Sequence, residues 1–192
     1  MMTHLRHLLL SIVLALVLAR TALWAEEPQP EVLPTRDVDI SYDITRVGQP
    51  PIIERRRWSA SQRLQRVDGP DNSSTIFDRN KGEFTLLNRK ARTFRKFDGS
   101  PRMPMAPVKG TALKREGESV VAGLHCVDWS GTDDTETRTW CLTPDGVLLR
   151  LVVDGKTIIQ ARSVQYRTQQ EKVFDIPRDY EPAIAPEGGP GG

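Results

Sequence analysis

Histidine is almost missing from this chain: there are three, His4, His7 and His125. The first two fall in an apolar leader, so a processed protein keeps one imidazole, which excludes histidine-rich metal sites and two-histidine mechanisms. Cysteine is limited to Cys126 and Cys141, without the Cys-x-x-Cys spacing of a redox pair. An excess of one charge is also lacking, with 27 Lys+Arg against 25 Asp+Glu. Two of the arginines, Arg6 and Arg20, belong to the leader, which leaves 25 against 25 and argues against bulk nucleic-acid binding. No Gly-x-Ser-x-Gly elbow surrounds Ser119, Ser130 or Ser163, and no glycine loop cradles a phosphate. Asp133, Asp134 and Glu136 lack the spacing of a calcium loop and read as a solvated hairpin tip. No catalytic residue, metal ligand or cofactor is assigned, and a non-enzymatic protein is expected.

Long apolar runs are confined to the amino terminus. Residues 1–7 carry Arg6 and no acid, residues 8–18 are apolar apart from Ser11, and Ala25 supplies a small residue before Glu26. This is the grammar of a secretory signal peptide, and its apolar run is shorter than the ~20 residues that span a bilayer. An uncleaved anchor remains the alternative, because Leu23 is large for its position and Arg20 interrupts the exit of the run. Export to the periplasm is expected, with an extracellular destination as the alternative, and no integral membrane segment is left after cleavage.

What the chain has in quantity is alternation. Val38, Ile40, Tyr42 and Ile44 alternate with polar residues and read as a half-buried strand. Trp58, Ala60, Gln62 and Leu64 continue the pattern as a second strand. Short strands are expected over 74–78, 83–88 and 92–97, then longer ones over 119–129, 136–143, 147–154 and 156–167, with an extended piece over 172–176. Residues 101–117 hold three prolines and read as a flap with at most one helical turn. The expected fold is mainly β, a single strongly curved antiparallel sheet forming an incomplete barrel, with few short helices. The expected organisation is a leader over 1–25, a Pro/Glu-rich linker over 26–34, the domain over 35–181 and a Gly/Pro-rich tail over 182–192.

Cys126 and Cys141 flank a polar stretch that folds back near Asp133 and Asp134, which would set the sulfurs opposite one another on neighbouring strands. In an oxidising compartment they are expected to form a disulfide. One face of the late meander would then carry Leu124, Cys126, Cys141, Leu149, Leu151 and Ile158. The other would carry Val127, Trp129, Trp140, Leu142, Leu148, Val152 and Ile159, mixed with His125, Arg138 and Arg150. Large apolar groups on both faces call for a cover: a flap, a partner or a ligand. Residues 55–102 hold thirteen Lys+Arg against five Asp+Glu. That excess suits an anionic head group or membrane surface, or else the protection of edge strands.

The order of motifs, Arg63-Leu-Gln-Arg66, Thr75-Ile-Phe-Asp78, Glu83-Phe-Thr-Leu-Leu87 and Arg92-Thr-Phe94, resembles the strand series of the outer-membrane lipoprotein carrier LolA and its fold superfamily. Residues 122–126, Trp129, Thr139-Trp-Cys-Leu-Thr143, Asp145-Gly146, Phe174-Asp-Ile-Pro177 and Tyr180 look like uncharacterised exported domains of that superfamily. The resemblance implies a half barrel with an apolar concavity that holds a lipid, an acyl chain or a lipoprotein. Trp58, Phe84, Leu86, Trp140, Leu149 and Leu151 are the candidate lining residues, with 101–117 as the gate. The alternative is a cell-envelope scaffold whose apolar face docks a protein partner. Amino-terminal sequencing of the exported protein is expected to start at or near Glu26; an intact Met1 on cytoplasmic protein would refute the leader reading.

Overall fold

The computed structural model describes residues 28–46, 48–99, 106–107, 111–133 and 136–183. The leader over 1–25, most of the tail and residues 101–105 and 108–110 of the flap lie outside the described residues, as does Asp134. Twelve strands form one open sheet. They are β1 (Val38–Ile44), β2 (Ile52–Ser59), β3 (Leu64–Asp68), β4 (Ser73–Asp78), β5 (Glu83–Asn88), β6 (Thr93–Asp98), β7 (Lys114–Val121), β8 (Leu124–Asp133), β9 (Glu136–Leu142), β10 (Leu148–Val153), β11 (Lys156–Tyr166) and the short β12 (Glu181–Pro182). Their spatial order is 12-6-5-4-3-2-1-11-10-9-8-7, antiparallel throughout except for β12, which lies parallel to β6. The sheet does not close into a barrel, and the only described helical element is a 3-10 turn at Glu171–Phe174. Among the described residues no helix is long and apolar enough to cross a membrane.

Two meanders, β1 to β6 and β7 to β11, meet where β1 pairs with β11. Paired residues share a face, and this fixes one continuous row across six strands: Val38, Trp58, Gln65, Phe77, Phe84 and Phe97. On the other side of β1, the same face continues as Ile44, Ile159, Leu151, Trp140 and Trp129. We call this the inner face. It carries most of the larger core, in which Trp140 and Leu151 are each 1% exposed.

The structure divides two expected strands. The run through Trp58 and Leu64 is the end of β2, a turn and the start of β3, with Arg63 at φ 53°. The run through 119–129 is two strands joined at Ala122-Gly123, both at positive φ. An Ala-Gly turn can take this left-handed geometry, but it lacks the Asn-Gly or Asp-Gly signature of such hairpins. The helical turn expected near Thr111 is instead the approach to β7, and the extended piece over 172–176 begins as the 3-10 turn.

The two expected face groupings in the late meander also need correction. An irregularity between Leu148 and Arg150 sets Arg150 opposite Cys141 and Leu151 opposite Trp140. Leu151 therefore leaves the cystine's face and Arg150 joins it, as one extra residue in a strand requires. The reverse face of the early meander is covered by the carboxy-terminal segment. Phe174, Val173, Ile176 and Tyr180 pack there on Ile76, Leu87, Leu64 and Phe94.

Cys126 and Cys141 form a disulfide. Asp128, rather than Cys126, lies directly opposite Cys141, so the bridge joins diagonal neighbours with Cα atoms 5.3 Å apart. Both half-cystines are buried, at 2% and 0% exposure. Replacing both with Ala is expected to destabilise the fold by about 3 kcal/mol through the loop they close. Denaturant titration of the variant and of reduced wild type should show the same loss; an unchanged midpoint would contradict a structural role.

Candidate functional site

The inner face is built in two unlike halves. Over β8 to β11 it is solid, because bulky residues on adjacent strands fill it: Trp129, Trp140, Leu142, Leu151 and Ile159 are all buried. Leu113, just before β7, closes this half from above and lies close to Gly131, where an added Cβ would come within 2.9 Å of its Cδ2. Over β4 to β6 the same face is an apolar shelf. Phe84 stacks between Phe77 and Phe97, at 6.1 and 4.8 Å between ring centroids, and Leu86 beside them is 40% exposed. An open groove of about 360 Å³ lies at this end of the sheet, lined by Leu86, Arg95 and Phe97 of the inner face together with Leu87 and Phe94 of the reverse face and Ala183. That volume falls within the ~300–1,000 Å³ typical of ligand pockets.

Between the halves, under β1 and β2, lies a smaller cavity of about 60 Å³. Its floor is Val38, Ile40, Tyr42 and Trp58, its polar wall is Arg56, Gln65 and Arg79, and its roof is Val32, Leu33 and Pro34 with Ala106. Trp58 Nε1 donates to the Pro34 carbonyl at 2.7 Å, and the Arg79 guanidinium lies 5.7 Å from the Trp58 ring centroid. Burial, and then the nearby charge of Arg63, hold the Arg79 pKa below its usual value. Tyr42 donates to the Leu148 carbonyl at 2.7 Å, and its burial drives its pKa upward.

Of the six candidate lining residues, Phe84 and Leu86 stand on the open shelf and Trp58 floors the cavity. Trp140, Leu149 and Leu151 are sealed in the core at 0–1% exposure, so the structure does not bring the six together as one surface. The roof falls in the stretch read as a linker. Residues 28–34 have no regular secondary structure, yet Gln29, Leu33 and Pro34 make specific contacts with the sheet. Leu33 next to a strand beginning Val38 was the available signal. Three nearby prolines masked it, since proline marks irregular backbone without saying whether that backbone packs.

Ser119, a candidate nucleophile, donates to Asp128 at 2.5 Å and accepts from Arg150 at 2.9 Å. His125 is exposed and pairs with Val120, on the face opposite Ser119 and Cys126. Ser130 donates to Glu116, and Glu136 pairs with Arg138. On the reverse face three arginines of the basic stretch pair with acids. Arg55 binds Asp39 through two bonds of 2.8 and 2.7 Å, and Arg167 joins the same carboxylate. Asp68 takes Arg57, Arg66 and the Ser74 hydroxyl, while Arg66 also donates to the Val173 carbonyl. These arginines sit on interior strands β2 and β3, so for them ion pairing replaces the expected role at an edge.

No protein-family model and no curated protein matches the chain. Solved structures do. An uncharacterized conserved protein from Thermus thermophilus superposes with a TM-score of 0.56 at 16% identity, over 78% of this chain and 90% of that one. The complex of MucA and MucB from Pseudomonas aeruginosa gives 0.54 at 15% identity, over 74% of this chain and 56% of that one. PNGF-II gives 0.50 at 12% identity, and this chain spans only 32% of its length. Such identities establish a shared fold and nothing finer.

The Asp39 network generates a pH dependence. Burial raises the Asp39 pKa, but hydrogen bonds from Arg55 and Arg167 outweigh it and leave the carboxyl below its usual range. A depressed folded pKa contributes stability that is present above the unfolded value near ~3.9 and is lost as pH falls through the folded value. Asp39→Asn is expected to lose about 1–2 kcal/mol near pH 6, given the half-exposed arginines, and to show a shallower acid limb. Urea titrations from pH 6 to pH 2 would check this, and parallel acid limbs would contradict it.

Proposed function

We propose that the chain is a non-enzymatic binding protein of the cell envelope whose inner face docks a polypeptide partner. The observation that carries the reading is the division of that face. Half of it is filled by buried tryptophan and leucine, the cavity under β1 and β2 holds about 60 Å³, and the exposed part is an aromatic shelf beside an edge of the sheet. A shelf with one exposed Leu and flanking Arg95 and Asn88 suits a side-chain surface. The MucA/MucB structure is itself a protein complex formed with this fold, which is consistent with the reading. The buried cystine and the sequence leader are compatible with export. Carriage of a lipid or acyl chain is the second reading, and the groove of about 360 Å³ favours it.

A photo-crosslinking residue placed at Leu86 in the protein's own host, with mass analysis of the adduct, tests both. The control is Ile53, 51% exposed on the reverse face. A discrete peptide-mass adduct at Leu86 and none at Ile53 is expected. A lipid-mass adduct would transfer the conclusion to carriage, and no adduct above the Ile53 background would overturn the site.

A further inference from the structure

Residues 29–36 are held against the sheet by contacts to the main chain of residues 33–35 and to the side chains of Gln29 and Arg36. Gln29 makes a two-bond bridge to the Leu113 backbone, donating to its carbonyl at 3.1 Å and accepting from its N–H at 3.0 Å. Leu33 passes against Gly146, where even an added Cβ would lie 2.2 Å from the Leu33 carbonyl oxygen, and Gly146 has φ +83°. Both facts require glycine there: one for close approach, one for backbone geometry. The Pro34 carbonyl accepts from Trp58 Nε1, and the Thr35 N–H donates to the Asp145 carbonyl at 2.9 Å. Arg36 then donates to the Asp145 carboxylate at 2.9 Å with its guanidinium 3.8 Å from the centroid of the Tyr166 ring.

The groups on the sheet side are thus an indole donor for a carbonyl, a carbonyl acceptor for an N–H, a bare backbone for close approach, and a carboxylate for a cation. An acyl chain has no N–H for the Asp145 carbonyl and no cation for its carboxylate. An extended polypeptide supplies all of these.

We infer that this part of the inner face is a polypeptide-binding groove in which residues 29–36 sit as a built-in occupant. The partner it takes is an extended segment of the same chemistry: two apolar residues, a proline, a residue with a free N–H, and a cation. The inference rests on the docking reading above and specifies its ligand. A tethered segment competes at an effective concentration on the order of millimolar, so a free segment binds well only when the tether is unlatched.

The probe is the synthetic peptide Gln-Pro-Glu-Val-Leu-Pro-Thr-Arg, acetylated, amidated and fluorescently labelled, titrated into full-length proteins by anisotropy. Gln29→Ala/Leu33→Asp is expected to bind it at least tenfold tighter than wild type. Trp58→Phe in that background weakens binding at least fivefold, as does replacing the peptide's Arg by Glu. Gln29→Ala alone, at an exposed residue, shows a smaller gain in the same direction and keeps the test open if the double variant misfolds. Equal affinity of unlatched and wild-type protein, or equal affinity for a scrambled peptide, overturns the inference. If that happens while the Leu86 peptide adduct persists, the docking reading stands and only this groove is wrong. Uptake of cis-parinaric acid without peptide binding overturns both.

Discussion

The structure depends on one strand. β1 pairs with β2 on one side and with β11 on the other, joining segments of chain more than 100 residues apart in sequence. Every inward side chain of β1 is buried: Val38 at 0%, Ile40 at 4%, Tyr42 at 2% and Ile44 at 9%. Without β1 there would be two meanders, each with an unpaired edge and half a hydrophobic face. Its outward Asp39 is equally committed, bound by Arg55 from β2 and by Arg167 from just beyond β11. The same strand aims the segment before it, since Arg36 is two residues from Val38 and already engages Asp145. Pairings of such long sequence separation close late in folding, so β1 docking is the step on which cooperativity rests.

From that seam the halves take different roles. The late meander carries the disulfide, the paired tryptophans and the Ser119, Asp128 and Arg150 cluster, all of which tie strands together. The early meander is held from behind by the carboxy-terminal segment and by arginine to aspartate pairing, and among the described residues Leu86 stays exposed on its inner face. β6 and β7 lie near opposite ends of the sheet, about 48 Å apart along its strands at ~4.8 Å per strand. Of the described residues between them, Ala106 lines the central cavity and Leu113 lies against Gly131.

Alternation made the architecture legible, and failed where its signal was ambiguous. Residues 38–44 alternate cleanly, and β1 is found there with the expected faces. The Arg55-Arg-Arg57 run hid β2, because a strand with arginine on both faces has no apolar period to read. Arg63 and Ala122 turn the chain at positive φ without an asparagine or glycine of their own, so two hairpins looked like continuous strands. The irregularity at Leu148–Arg150 moved Leu151 to the tryptophan face, a shift that depends on partner strands and has no local mark. The candidate site was half legible. Leu86 is exposed on the inner face with Phe84 half-buried beside it, whereas Trp140, Leu149 and Leu151 are buried in the core, which no pattern within β9 or β10 reports.

The central claim is that the inner face is complete only with residues 29–36 seated against it, through Trp58 and Asp145. Hydrogen exchange followed by NMR at two protons reports this directly: the Trp58 indole N–H and the Thr35 amide, each bonded to the other side of the interface. The account predicts that both exchange at least a hundredfold more slowly than in an unstructured peptide, and that Leu33→Asp accelerates both together while β1 amides stay protected. Exchange of both protons at unstructured rates in the wild-type protein, with β1 protected, would contradict it.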